Sequence, residues 1–185
     1  MDNGACSYRR FLDGDDQGLA EIVGEYKDGL ILYLNGYVHN VFVAEELTED
    51  TFFRLMTKRP KFAGKSSFKS FLYAIGRNVA VDYIRHRSKV RQIPLDEAEN
   101  YIAAVESLEQ TYLREEQKLA LNRALAQLPD DYRQVLWLSF FEGFSNQEIA
   151  AVMHKNERQV RNLLYRAKQS LKSILEKEGF VYEEL

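Results

Sequence analysis

The sequence predicts an all-α protein: two small helical domains joined by a linker, the C-terminal one a helix-turn-helix. Three observations carry that expectation. Apolar residues recur at the 3.6-residue period of a helix through most of the chain, while the two-residue alternation of strands is nearly absent. Between Pro94 and Glu116 the composition turns acidic, with seven acids against one base, Arg114, as in a connector that becomes the start of a new helix. Near the C-terminus two helix-start signatures follow one another at the spacing of a tight turn. The 185 residues allow two domains, each of roughly 75 to 90 residues and close to the lower size limit for an independently stable core. The expected division is a domain over 1–91, a linker over 92–111 and a second domain over 112–185.

In chain order, Asp15 and Asp16 can cap a helix whose face carries Leu19, Ile22, Val23, Tyr26, Leu30, Leu34, Tyr37 and Val41. Ala44, Leu47, Thr51, Phe52 and Leu55 continue the buried stripe, and Glu45, Glu46, Glu49 and Asp50 fall outside it. Pro60 and Gly64 interrupt the run. A third helix is expected to start near Ser66 or Ser67 and reach about His86, with Phe68, Phe71, Leu72, Ile75, Val79 and Ile84 inward. After the acidic stretch a helix ends near Leu128, and "PDDYR" restarts with Pro129 and an Asp cap. Tyr132, Val135, Leu136 and Phe140 form its stripe, and Gly143 closes it.

Composition excludes several classes. With 45% apolar and 29% charged residues the chain is neither disordered nor fibrous. No apolar run approaches the roughly 20 residues of a membrane span, and the N-terminus lacks the apolar core of a signal peptide, so no membrane insertion and a cytoplasmic location are expected. Cys6 has no second cysteine to pair with, and Cys6, His39, His86 and His154 show no ligand spacing, so no metal or cofactor is expected. "GKSS" at Gly64 to Ser67 ends like a phosphate-binding loop. Arg59 stands where that motif needs glycine, and "FFRLMTKRP" where it needs a strand. No triad, zinc-protease or nucleophile-elbow pattern occurs, and the acids around Glu45 lack a companion nucleophile or histidine. No catalytic residue is expected.

The net charge of -3 hides a local field. From Arg54 to Arg91 there are eleven Lys or Arg and one acid, Asp82, whereas Asp13 to Asp50 holds ten acids and one base. A basic surface tracks phosphates without reading sequence, and salt weakens it. Phe62, Phe68, Phe71, Tyr73 and Tyr83, close to Lys65, Lys69 and Arg77, are the aromatics that stacking of unpaired bases requires. Aromatics at helical spacing more often form core, and Phe68 and Phe71 fit that reading equally well. Phe62, ahead of the Gly64 break, is expected to be exposed.

"SNQEIAAVMHKNERQVRNLLYRAKQSL" is the most specific stretch. Ser145 and Glu148 form a capping box, His154 to Asn156 a turn, and Asn156 with Gln159 a second box that opens a longer helix burying Val160, Leu163, Leu164, Ala167 and Leu171. Such a unit places its second helix in a major groove. Arg158, Gln159, Arg161, Asn162, Tyr165 and Arg166 are what it offers. Arg and Asn pair bidentately with base edges, each good pair contributing roughly 1 to 3 kcal/mol of discrimination.

Taken in order, "AEELTEDTFFRLM", "KFAGKSSFKSFLYAIGRNVAVDYIRHR", the acidic linker, "LPDDYRQVLWLSFFEGFSNQEIAAVM" and "RQVRNLLYRAKQSL" closely resemble a sigma factor of bacterial RNA polymerase, of the small extracytoplasmic-function class of the sigma-70 family. The resemblance spans about Leu19 to Leu175. It implies a promoter-specificity subunit with a region 2 domain, a linker and a region 4 domain. It implies polymerase docking at the positions of Glu45, Glu46, Leu47, Glu49 and Phe52. It implies capture of the melted -10 strand by Phe62, Gly64, Lys65, Ser66 and Phe68. Opening and reading of that element fall to Arg77, Asn78, Asp82, Tyr83 and Arg85, with Lys69 on the phosphate track, and the helix-turn-helix reads the double-stranded -35 element. Core RNA polymerase, promoter DNA and an anti-sigma protein are the implied partners. In the free chain the acids of Asp13 to Asp50 are expected to oppose DNA binding. The rival reading is a stand-alone helix-turn-helix regulator, which predicts palindromic half-sites.

Overall fold

The computed structural model describes residues 2–90 and 121–177. The expected linker over 92–111 and the tail over 178–185 lie outside the described residues. Helices account for nearly everything described, and no strand occurs among these residues.

Four helices build the first unit. Helix α1 (Asn3–Leu12) was not foreseen, because its apolar face is only Tyr8 and Phe11. Asp2 makes it possible: one carboxylate oxygen accepts the Ala5 N–H at 3.1 Å, and the other accepts the Phe68 N–H at 2.6 Å at the start of another helix. α2 (Asp16–Val38) begins on an Asp15 cap and passes α1 so closely that a Cβ on Gly18 would lie 2.2 Å from the Ser7 carbonyl oxygen. The apolar periodicity through Val41 reads as one helix. The chain instead breaks at His39, which adopts the left-handed conformation (φ 51°), and Asn40 caps α3 (Val41–Lys58) by accepting the Val43 N–H. α4 (Phe68–Val90) outruns its expected end. Ile84 is exposed and not inward, because Phe68, Leu72, Val79 and Ala80 set the buried phase and Ile84 falls off it.

The second unit comprises a helical stretch over 121–126 (α5), α6 (Asp130–Leu136), α7 (Asn146–Met153) and α8 (Glu157–Lys177). The expected Asp cap on α6 is absent. Pro129 holds the cap position with no side-chain bond, and Asp130, the first helical residue, accepts from Arg133. α6 then runs into a π-helical turn, Trp137–Phe141, closed by the Glu142 N–H donating to the Trp137 carbonyl at 3.2 Å. The wider turn shifts the helical phase. Leu138 goes inside, whereas Phe140, expected inside, is 60% exposed beside Phe141. Gly143, in the left-handed region (φ 70°), ends the turn as expected.

The two units are packed together. α4 lies on α7 and α2 touches α6, and the apolar core is continuous, with the Tyr73 and Phe144 rings edge to face at 5.4 Å across the seam.

Candidate nucleic-acid interface

The basic stretch is displayed on the connection between α3 and α4 and along α4. Arg59 ends α3 in the left-handed conformation, its guanidinium 5.0 Å from the Phe11 ring centroid. The Tyr8 hydroxyl donates to the Pro60 carbonyl at 2.7 Å, so α1 anchors the start of the connection. Gly64 supplies the positive φ (68°) that turns it back, and Ser67 opens α4 by accepting the Ser70 N–H. Gly64 and Lys65 are exposed and Ser66 is half-buried. Phe62 is half-buried and not exposed: its ring lies 5.7 Å from Phe68 and 5.2 Å from Phe71. Phe68 itself is fully buried, against Tyr8 and Tyr26, so it supports the connection from behind.

Further along α4, Asn78 and Arg85 are exposed, and Lys69, Arg77, Asp82 and Tyr83 are half-buried. Asp82 pairs with Arg54 of α3 at 3.6 Å, and the Arg87 guanidinium reaches the Tyr83 hydroxyl. Arg77 lies beside Tyr33 and Tyr37. Burial raises the pKa of both phenols, and the guanidinium charge offsets part of that.

Lys69 and Asn78 face the second unit. The Lys69 ammonium pairs with the Glu142 carboxylate at 2.8 Å, and Asn78 Oδ1 lies 3.0 Å from His154 Nε2. Tyr73 and Trp137 also donate to Glu142, at 2.9 and 3.0 Å. Ser67 Oγ donates to Glu148 Oε1.

The helix-turn-helix has the local geometry its caps call for. Ser145 and Glu148 make the full capping box on α7. His154 takes the left-handed turn position (φ 53°), and the Lys155 N–H donates to the Ala150 carbonyl. Asn156 and Gln159 exchange backbone N–H bonds at 2.9 Å, which starts α8. Lys155 pairs with Asp131 of α6 at 2.9 Å, fixing the turn to the unit. Val160 and Ala167 are buried, and Arg158, Gln159, Arg161, Asn162, Tyr165 and Arg166 are all exposed. Arg161 has only a loose contact with Glu157, at 3.7 Å.

The acids of α3 lie outside its buried stripe, as the periodicity predicts, and the docking positions implied by the resemblance are split between its two faces. Glu45, Glu46 and Glu49 are exposed, but Leu47 and Phe52 are core residues, 4% and 9% exposed, because they share the buried phase of Ala44, Thr51 and Leu55. The outward apolar groups are Phe42, Phe53 and Met56. Their signal in the sequence is that they are apolar residues out of phase with the buried stripe.

Among the described residues no group of His, Cys, Asp and Glu could hold a metal, and no helix is long and apolar enough to cross a membrane.

Comparison with known proteins bears on the family and the fold. The family description "Sigma-70 region 2" matches residues 22–90, and "Sigma-70, region 4" matches 118–171. The chain is similar to the RNA polymerase sigma-H factor of Pseudomonas aeruginosa, 26% identical over 88% of this chain and 89% of the relative. It is 26% identical to the ECF RNA polymerase sigma-E factor of Escherichia coli K12, with 88% of each chain covered. Among solved structures, the sigma factor RpoE of Bartonella quintana, in complex with the anti-sigma factor NepR, has the same fold: TM-score 0.69, 22% identity, 85% of this chain and 96% of that one. CnrH in complex with the cytosolic domain of CnrY follows, with TM-score 0.65, 18% identity, and 95% and 96% covered.

Proposed function

The chain belongs to the sigma-70 family, in the extracytoplasmic-function class, and is a promoter-specificity subunit of bacterial RNA polymerase; from that premise we propose how its residues divide the promoter. The 1–91 domain takes the melted -10 element and the 112–185 domain takes the paired -35 element, with 92–111 as the linker in sequence.

The observation that carries this division is the N-terminal stretch of α8. All six side chains assigned to the -35 element are exposed there, on a helix held by two caps and a tight turn. Arg158, Arg161 and Asn162 read base edges, Arg166 and Tyr165 flank them, and Gln159 combines its capping bond with a free amide nitrogen. In the front domain Gly64, Lys65 and Ser66 form the lip that meets an extruded base, on a platform of Phe62 and Phe68. Lys69, Asn78 and Arg85 follow the strand, while Asp82 and Tyr83 set the α4 surface. Extrusion costs a few kcal/mol of unstacking, which a phosphate-binding lip offsets once the strand is open.

Polymerase docking belongs to the exposed face of α3, with Glu45, Glu46 and Glu49 around Phe53 and Met56. An anti-sigma protein is a further partner in this reading, supported by the similarity to a sigma factor solved in complex with one. The chain does no covalent chemistry of its own, and the polymerase supplies catalysis.

Run-off transcription with core polymerase and a library of promoter fragments tests the proposal. Transcripts are expected only from fragments with two dissimilar elements at fixed spacing. Footprints on palindromic sites without polymerase would instead establish the stand-alone regulator.

A further inference from the structure

We infer that an aromatic patch on the second unit, left open among the described residues, is the docking site of the chain's own C-terminal segment 178–185, "EGFVYEEL". The surface is thereby a receptor for acidic peptides that carry aromatic side chains. This inference goes beyond the promoter assignment and does not depend on it.

The π-helical turn makes the patch. Its wider coil sends two successive rings outward, Phe140 at 60% and Phe141 at 53% exposure. The Trp137 ring lies nearly flat on Phe141, with centroids 4.4 Å apart and planes 13° apart, and its indole N–H donates to the Glu142 carboxylate at 3.0 Å. From α8, the Lys168 ammonium comes to 5.0 Å from the Phe140 ring centroid. These contacts fix the rings in place and still leave much of their surface in water. Single exposed apolar residues are ordinary, but adjacent large rings held in position beside a cation form a binding surface.

Charge and reach identify the occupant. Lys168 and Lys172, one turn apart on α8, are both exposed, and Lys172 has only a loose pairing with Glu176 at 3.7 Å. The segment that follows α8 holds Glu178, Glu183 and Glu184 and no base, together with Phe180, Val181, Tyr182 and Leu185. It complements the surface in charge and in apolar character. α8 ends at Lys177, which lies about 13 Å along the helix axis from Lys168. The stretch from Glu178 to Tyr182 spans up to about 17 Å, enough to bring Phe180 and Tyr182 back beside Phe140. So short a tether sets an effective concentration of about 1 mM, so an intrinsic dissociation constant of about that size already keeps half of the molecules docked.

The test uses the full chain. Trp137 is its one tryptophan, so tryptophan fluorescence reports on the patch alone. Acrylamide quenching of the wild type is expected to be weak and independent of protein concentration. Phe180→Ser with Tyr182→Ser should raise the quenching constant about twofold and shift the emission to the red, as docked molecules become undocked. A synthetic peptide of residues 178–185, added to that double variant, should restore the shielding with a dissociation constant of about 1 mM or tighter. Lys168→Glu should also raise quenching, and adding Glu183→Lys with Glu184→Lys should reverse it. A merely structural role of Lys168 under Phe140 would give no such rescue. Equal quenching in the wild type and the Phe180/Tyr182 double variant would overturn the inference and leave the patch to a partner outside this chain. Shielding that grows with protein concentration would overturn it in favour of a second copy, and failure of the charge exchange to rescue Lys168→Glu would overturn the docking site.

Discussion

Arg133 offers the sharpest test of how the second unit is held together. Its side chain is 5% exposed, and its guanidinium serves several carbonyls: Nε donates to Leu125 at 3.0 Å, one terminal nitrogen to Leu128 at 2.8 Å and Ala126 at 3.2 Å, the other to Gly36 at 2.9 Å. Three of these bonds satisfy carbonyls at and just after the end of α5, and the fourth crosses to the end of α2. Asp130, itself well exposed, is the nearby counter-charge at 3.3 Å. Arg133→Ala strands these acceptors around a void. A buried acceptor left unpaired costs about 1–3 kcal/mol; with water able to reach some of them, the total should be about 3–5 kcal/mol. That is a large part of the roughly 5–15 kcal/mol that holds a typical domain folded. Arg133→Lys keeps the charge but loses the planar fork, and should recover about half of the loss. Urea unfolding of the full chain, followed by circular dichroism, measures both. A loss below about 1 kcal/mol for Arg133→Ala would refute the reasoning, since these bonds would then merely replace equivalent ones to water.

Arg161→Ala is expected to weaken transcription only from promoters with a particular -35 sequence, by about tenfold or more, in line with roughly 1–3 kcal/mol per base-reading pair; uniform losses across a promoter library would remove α8 from base readout. Lys65→Ala should weaken every promoter alike and lower the salt dependence of holoenzyme binding by about one unit of slope, measured by filter binding. Phe53→Ala with Met56→Ala should lower affinity for core polymerase by tenfold or more in a pull-down titration and leave the unfolding free energy within about 0.5 kcal/mol of the wild type, because both side chains are exposed. Glu148 gives a pH prediction: burial acts to raise its pKa, but hydrogen bonds from Ser67 and Ser145 outweigh that and hold it below the ordinary 4.5. A depressed folded pKa adds stability that is complete above the unfolded value and lost as pH falls through the folded one. Unfolding midpoints should therefore drop below about pH 4.5, and Glu148→Gln should flatten that part of the profile.

Local rules were enough for much of this protein. The capping pairs Ser145 with Glu148 and Asn156 with Gln159, the left-handed turn at His154 and the outward set from Arg158 to Arg166 all follow from residues within one or two turns of each other. The basic character of Arg54 to Arg91 is likewise plain in the composition. Other features depend on partners distant in the chain. α1 exists because Asp2 meets Phe68 and because Gly18 lets two backbones touch. The outward turn of Phe140 follows from one π-helical turn, which apolar periodicity cannot register. Phe62 became part of a ring cluster only when α4 folded back over it. The packing of the two units on each other, with Glu142 under Lys69, joins residues 73 positions apart. Periodicity reports which face of a helix is apolar, but the choice of what that face meets is made by contacts between segments, and only the folded chain brings those together.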